Sequence, residues 1–212
     1  MPVDDQARAT LELWKTVSTL ALLGIVGGFI SLMYKRFEQQ RAAARALHAF
    51  RSDFLLKLQG AYRLTKTVRR ALRAIGLTTM RRDPLGVLDE SQITGYREQM
   101  GLLNEAQLDF EDLYLELKVF PDAFTEGDQI LTIVQGIEQY LRAILREYEV
   151  HWRRLGSDGE GRSSFGSLDR LRDFTGSFKV GDYRPTVVHG RNDAVKLIQA
   201  DLLPIHVAKA AG

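Results

Sequence analysis

Arginine is concentrated in one short stretch of this sequence, where its chemistry could matter. Five residues form the cluster: Arg69, Arg70, Arg73, Arg81 and Arg82. A guanidinium offers a planar fork of donors that matches the oxygens of phosphates and carboxylates. The cluster is therefore a candidate contact for an anion or for an acidic partner. Its alternative role is to neutralise acidic side chains elsewhere in the same chain.

The distribution of charge favours that second role. Residues 35–82 contain 13 Lys or Arg against two acids, a net charge of +11, whereas residues 83–149 contain four bases against 15 acids, a net charge of −11. We expect a basic helix to lie beside an acidic one, with the pairing set by charge. The basic set is Arg63, Lys66, Arg69, Arg70 and Arg73, and the acidic set is Glu98, Glu105, Asp109, Glu111, Asp112 and Glu116.

Residue patterns typical of catalysis or metal binding are not found elsewhere in the sequence. The chain has no cysteine, and its four histidines include no i, i+4 pair that could hold a metal on a helix. His189 lies in a predicted loop, Tyr183 to Asp193, where a ligand contact is conceivable. We assign no catalytic residue, no cofactor and no metal site, which favours a protein that is not an enzyme. The net charge of +2 and the lack of an aromatic stacking platform argue against a nucleic-acid partner.

An uncharged run of 19 residues, Thr16 to Tyr34, lies near the start of the chain. As a helix it would be about 28 Å long, which matches a hydrocarbon core of about 30 Å. The run therefore predicts a single-pass transmembrane helix with the lipid bilayer as a partner, and the basic residues after it favour a cytoplasmic C-terminal domain. Gly24 and Gly28 form a GxxxG pattern that would let two such helices pack as a homodimer, although glycine is common in membrane helices generally.

Three stripes of apolar residues follow, with spacings that alternate between three and four. They run from Leu47 to Ile75, from Ile93 to Phe120 and from Ile130 to His151. This spacing places each stripe on one face of a helix. Because the connections are short, the fold class predicted is all-α: a transmembrane helix that continues into an antiparallel, coiled-coil-like bundle of about three helices.

The predicted domain organisation has four parts. They are a flank over residues 1–15, the transmembrane helix over 16–34, the bundle over 35–155 and a loop-rich tail over 156–212. In the tail, the Gly/Ser-rich segment 156–167 is interpreted as a linker. A short helix is expected from Ser167 or Asp169, and a second one over 192–203 is expected to begin at an Asn192 cap.

Three hypotheses for function follow from these features. The first is a non-catalytic, membrane-anchored scaffold or assembly subunit that presents a helical docking surface to a protein partner. The second is a single-pass signal-relaying protein that dimerises through its transmembrane helix. The third is an unrecognised enzyme or nucleotide sensor that uses the arginine cluster, which would require a concave pocket lined by those side chains.

Overall fold

The structure of the chain is a computed structural model. It describes the backbone of residues 3–75, 90–155, 168–176 and 181–203, and the side chains of residues 33–75, 93–150, 168–176 and 181–203. Every secondary-structure element in these ranges is helical. The chain divides into two compact units, Met1–His48 and Ala49–Gly212.

Five α-helices and two short helical turns make up the described chain. The α-helices are α1 (Val3–Ala74), α2 (Glu90–Val119), α3 (Gly127–Leu155), α4 (Asp169–Thr175) and α5 (Gly190–Leu202). A 3₁₀ turn, Pro121–Ala123, connects α2 to α3, and a π-helical turn, Arg184–His189, runs directly into α5. Pro121 opens the 3₁₀ turn and forces the preceding residue out of the helical region, so α2 ends where the sequence predicts.

The second unit is an antiparallel bundle. The start of its α1 portion meets the end of α2, since Phe50 and Phe120 have ring centroids 5.6 Å apart. α2 and α3 also run in opposite directions, and Tyr96 packs edge-on against Tyr148 with centroids 5.2 Å apart. The fourth position is filled by α4, the π turn and α5, which we call the composite fourth helix. It runs antiparallel to α3, because Leu171 contacts Glu147 near the end of α3 and Asp201 contacts Thr125 just before its start.

The core of this bundle is built from the predicted stripes. The α1 stripe is buried at Phe54, Leu58, Ala61, Thr65, Val68 and Leu72. The stripe on α2 is buried from Tyr96 through Leu117, and the stripe on α3 is buried at Ile130, Ile137, Tyr140 and Ile144. Burying each large apolar side chain contributes roughly 1.5–3 kcal/mol, so these stripes supply most of the driving force for folding. Their residues therefore determine which face of each helix points inward.

The composite fourth helix differs from the predicted tail. Its side chains Leu171, Phe174, Val187, Ala194 and Ile198 complete the core, so the bundle has four members where the sequence predicted about three. The predicted Asn192 cap is wrong, because helical backbone already begins at residue 183. The linker prediction for residues 156–167 lies outside the described residues.

Two polar contacts from neighbouring helices hold the ends of this composite helix. The carboxylate of Glu147 accepts backbone hydrogen bonds from Arg170 and Leu171 at 3.0 and 2.8 Å, so α3 supplies the cap that α4 lacks in its own sequence. At the far end, the Asp201 carboxylate accepts hydrogen bonds from the backbone N–H and the hydroxyl of Thr125, at 2.8 and 2.6 Å. Arg51 of α1 joins the same corner by donating to the carbonyl oxygens of Ala123 and Asp201 at 2.7 and 3.0 Å.

The first unit contains the N-terminal part of α1. All of its described side chains, residues 33–48, are exposed, including Met33, Tyr34 and Phe37. The guanidinium of Arg41 lies 4.4 Å from the centre of the Phe37 ring. This segment contains four alanines and no β-branched residue, so high intrinsic helix propensity favours its helical backbone.

The predicted transmembrane helix, Thr16 to Tyr34, needs correction. Among the residues that the structure describes, no helix combines the length and the apolar character needed to cross a bilayer. This finding contradicts the single-pass anchor and the cytoplasmic placement deduced from it. The prediction relied on the length of an uncharged run, yet seven of its 19 residues are Ser, Thr or Gly, which contribute little apolar transfer energy. The side chains before Met33, including the predicted contacts at Gly24 and Gly28, lie outside the described residues.

The hydrogen bonds between Asp201 and Thr125 give the first testable prediction. We expect Asp201→Ala to lower the free energy of unfolding by about 1–2 kcal/mol, because the Thr125 N–H and hydroxyl lose their acceptor and the largely buried Arg51 side chain loses its nearby carboxylate. Urea denaturation followed by circular dichroism measures this change. The matched control is Asp193→Ala, which removes only an exposed pair with Lys196 and should cost less than about 0.5 kcal/mol. Equal losses of stability in the two variants would contradict a stabilising role for the Asp201 contacts.

Candidate functional site

The structure separates the predicted arginine cluster into different environments. Arg69 is buried, with 3% of its surface exposed, whereas Arg70 and Arg73 are exposed. Arg81 and Arg82 lie outside the described residues. The cluster therefore does not act as one uniform anion site.

Arg69 holds the end of α4 against α1. Its Nε donates to the carbonyl oxygen of Phe174 at 2.6 Å, and its terminal nitrogen donates to the carbonyl oxygen of Gly176 at 2.7 Å. These carbonyls are at the C-terminus of α4, where a helix leaves acceptors without partners and where positive charge is favoured. The guanidinium also lies over the ring of Tyr183, 4.5 Å from its centre. Burial lowers the pKa of Arg69, and the proximity of Arg73 lowers it further. Two of its N–H donors are thus occupied by hydrogen bonds within the bundle.

Asp173 completes this junction. Its carboxylate accepts hydrogen bonds from the Tyr140 hydroxyl at 2.8 Å and from the backbone N–H of Asp182 at 2.9 Å. Gly181 has a φ of 122° and leaves room for the Asp173 carboxylate, which a Cβ at this position would strike. Burial raises the pKa of Tyr140, and burial also raises the pKa of Tyr183 to about 12. These perturbed groups form satisfied structural contacts, so we assign them a structural role.

The exposed arginines belong to a larger basic surface. On α1, Arg63, Lys66, Arg70 and Arg73 are all exposed, and their spacings of three, four and three place them on one face. We define the basic seam as these four residues, which lie beside the composite fourth helix. The seam borders the contact between the two helices, because Tyr62 lies under the guanidinium of Arg191 at 5.0 Å and Arg70 acts on the pKa of Tyr183.

The predicted neutralisation of this basic surface by α2 is wrong. Within the described side chains, the ion pair that joins α1 to α2 is the one between Lys57 and Glu116, with Nζ and Oε1 2.5 Å apart. No described carboxylate forms an ion pair with any member of the basic seam. From α1, the groove between α1 and α2 is lined by Lys57, Gly60 and Ala61. The bases of the seam therefore lie outside this groove, and Lys57 is the α1 base that faces the acids of α2 there.

Acidic residues of α2 form an exposed surface of negative charge. We define the acidic stripe as Glu98, Glu105, Asp109 and Asp112, which are exposed and share one face of α2 with spacings of seven, four and three. Desolvation raises the pKa of Asp109, and the negative charges of Asp112 and Glu105 raise it further. Both the stripe and the seam thus place like charges beside one another, which costs each helix a few tenths of a kcal/mol per pair.

A groove of about 650 Å³ runs along α2 and α3, and Tyr114, Leu115, Ala143 and Arg146 contribute to its wall. Next to it, Gln107 donates to Glu138 at 2.6 Å and to Glu111 at 3.0 Å. Arg142 bridges the same two carboxylates, at 2.6 Å from Glu138 and 3.2 Å from Glu111. Glu111, Glu138 and Arg142 of the groove wall are thus paired with one another.

The segment from Tyr183 to Asp193, predicted as a loop, is helical. His189 is exposed there and accepts a hydrogen bond at Nε2 from Arg184 at 3.3 Å. Among the described residues, no group of three or more His, Asp or Glu side chains is arranged to hold a metal ion. Sequence reasoning placed Arg191 in the predicted loop beside His189 and did not connect it with Tyr62, because the two residues lie more than 100 positions apart in the chain. The amphipathic helix expected over 192–203 was the available signal, but its predicted start excluded Arg191.

Comparison with known proteins provides no further guide to the site. No protein-family model, no curated protein and no solved structure matches this chain. The function of this chain is therefore inferred from its geometry and charges.

The buried guanidinium gives the second testable prediction. We expect Arg69→Met to lower the free energy of unfolding by about 2–3 kcal/mol, because the carbonyls of Phe174 and Gly176 lose a charged donor in a buried setting. Arg69→Lys should fall between the wild type and Arg69→Met, since an ammonium cannot reproduce the fork. The control Arg73→Met changes an exposed side chain and should stay within about 0.5 kcal/mol of the wild type. A neutral Arg69→Met would contradict the anchoring role.

The acidic stripe gives a prediction with a defined pH dependence. A raised pKa means that folding disfavours the ionised form of Asp109, so this residue lowers stability above its ordinary pKa of 3.8 and ceases to do so below it. Asp109→Asn should therefore raise the free energy of unfolding by a few tenths of a kcal/mol at pH 7, and the gain should vanish near pH 3. Urea titrations between these pH values test the change, with Glu149→Gln as a control. If Asp109→Asn still raised the free energy of unfolding at pH 3, the ionised carboxylate would not be the cause of the lower stability.

Proposed function

We propose that this chain is a non-catalytic docking protein whose basic seam binds an acidic segment of a protein partner. The membrane anchor of the original scaffold hypothesis is not part of this proposal. The observation that carries it is that the four bases of the seam, on one face of α1, have no described carboxylate as an ion-pair partner. Such a surface has a charge that the described part of the bundle does not neutralise.

Three features support a protein partner. The seam is built on regular helices of a packed bundle, so its charges are held in a fixed spacing along about 15 Å of α1 from Arg63 to Arg73. Tyr62 and Arg191 lie next to the charges and supply the aromatic and guanidinium groups that are enriched at protein interfaces. Arginine forks bind carboxylates in a bidentate manner, which favours acidic side chains over a diffuse negative field.

The other hypotheses have less support. An enzyme or nucleotide sensor that uses the arginine cluster would need its arginines to converge on a pocket, whereas Arg69 is committed to α4 and its neighbours spread along a surface. A relay that dimerises through Gly24 and Gly28 rests on side chains outside the described residues. No described contact favours either of them over docking.

The test uses a fluorescent peptide of alternating glutamate and alanine, about 15 residues long, whose binding is followed by anisotropy at low ionic strength. We expect saturable binding that weakens on addition of salt, and at least about a tenfold loss of affinity in the double variant Arg70→Ala/Arg73→Ala. The matched control, Lys118→Ala/Arg146→Ala, removes two exposed charges elsewhere on the bundle and should leave the affinity within about twofold. Equal losses in the two double variants would reduce the effect to net charge and sink the proposal.

A further inference from the structure

The acidic stripe is a second charged surface for which the described residues provide no ion-pair partner. Its four carboxylates extend over about 21 Å of α2, from Glu98 to Asp112. Leu108, 48% exposed, lies one turn from both Glu105 and Asp112 and places an apolar side chain among them. This stripe has the chemistry that the basic seam is proposed to bind: regularly spaced carboxylates on a preformed helix.

The two surfaces lie on different sides of α1. Lys57 and Gly60 line the groove towards α2, where Asp109 and Asp112 lie. Tyr62 and Arg69 contact the composite fourth helix. Lys66 and Arg73 each follow one of them by four residues, so they lie on that same side of α1. A single molecule therefore cannot satisfy its own seam with its own stripe, whereas two molecules can.

We infer that the partner of the basic seam is the acidic stripe of a second copy of this chain, so that molecules associate head to tail. The inference rests on the proposed function and names its partner. Two properties support the inference: the surfaces have opposite charge, and their lengths along the helix are similar, about 15 Å for the seam and about 21 Å for the stripe. Because the two contacting surfaces differ, the contact is heterologous, and each added molecule leaves one seam and one stripe open for further growth or ring closure.

The test uses two variants of the full chain that each weaken one surface. Arg70→Ala/Arg73→Ala removes two bases of the seam, and Asp109→Asn/Asp112→Asn removes two of the four carboxylates of the stripe. In sedimentation experiments at about 20 mM salt, the wild type should form oligomers that dissociate at about 500 mM salt, and each variant alone should associate at least about tenfold more weakly. An equimolar mixture of the two variants should form a 1:1 heterodimer that grows no further, because only one seam and one stripe remain intact.

Controls keep the outcomes distinct. Circular dichroism establishes that each variant is folded, and Lys118→Ala/Arg146→Ala should associate as the wild type does. A mixture that stays monomeric, or variants that associate as strongly as the wild type, would overturn the inference. The glutamate peptide separates the two proposals: if it binds the variant with the weakened stripe while the mixture stays monomeric, the docking function stands and self-association fails. If the peptide binds no form of the chain, the docking function fails as well.

Discussion

The buried guanidinium of Arg69 is the interaction on which the arrangement of the bundle depends. It joins the C-terminal part of α1 to the end of α4, more than 100 residues later, through two short hydrogen bonds to carbonyl oxygens. Burying a charge without a carboxylate is expensive unless its donors are satisfied. The position of α4 is thus tied to that of α1, and Asp173 and Tyr140 extend the same restraint to α3. The composite fourth helix takes its place from these contacts.

Much of the bundle could be predicted from spacing alone. The apolar stripes from Phe54 to Leu72 and from Tyr96 to Leu117 are buried as their periodicity indicates, because only one face of each helix can exclude water. The ends of α2 and α3 near Pro121 and Leu155 also follow local signals. Two short helices were expected in the tail, but they were not recognised as one fourth member, since the π turn between them contains Pro185 and β-branched residues that read locally as a loop.

The electrostatic prediction failed for a different reason. Net charges of +11 and −11 on consecutive segments describe composition, whereas pairing depends on which side of each helix carries the charge. Lys57 lies on the α2 side of α1 and forms its pair with Glu116, while Arg63 and Arg70 lie on the outer face. A difference of one or two residues in helical position rotates a side chain by 100–200°, enough to exchange an internal partner for an external one. The membrane prediction likewise gave weight to the length of a run over its composition.

The π turn at Arg184–His189 also bears on how this segment tolerates changes in length. A π turn holds one residue more than the corresponding α turn, so it absorbs a single inserted residue without shifting the faces of the helix that follows. Loss of one residue here would return the segment to α geometry with Val195 and Ile198 still against the core. The same loss within α5 would rotate those side chains by about 100° into solvent. Length variation among relatives of this chain should therefore concentrate in this turn.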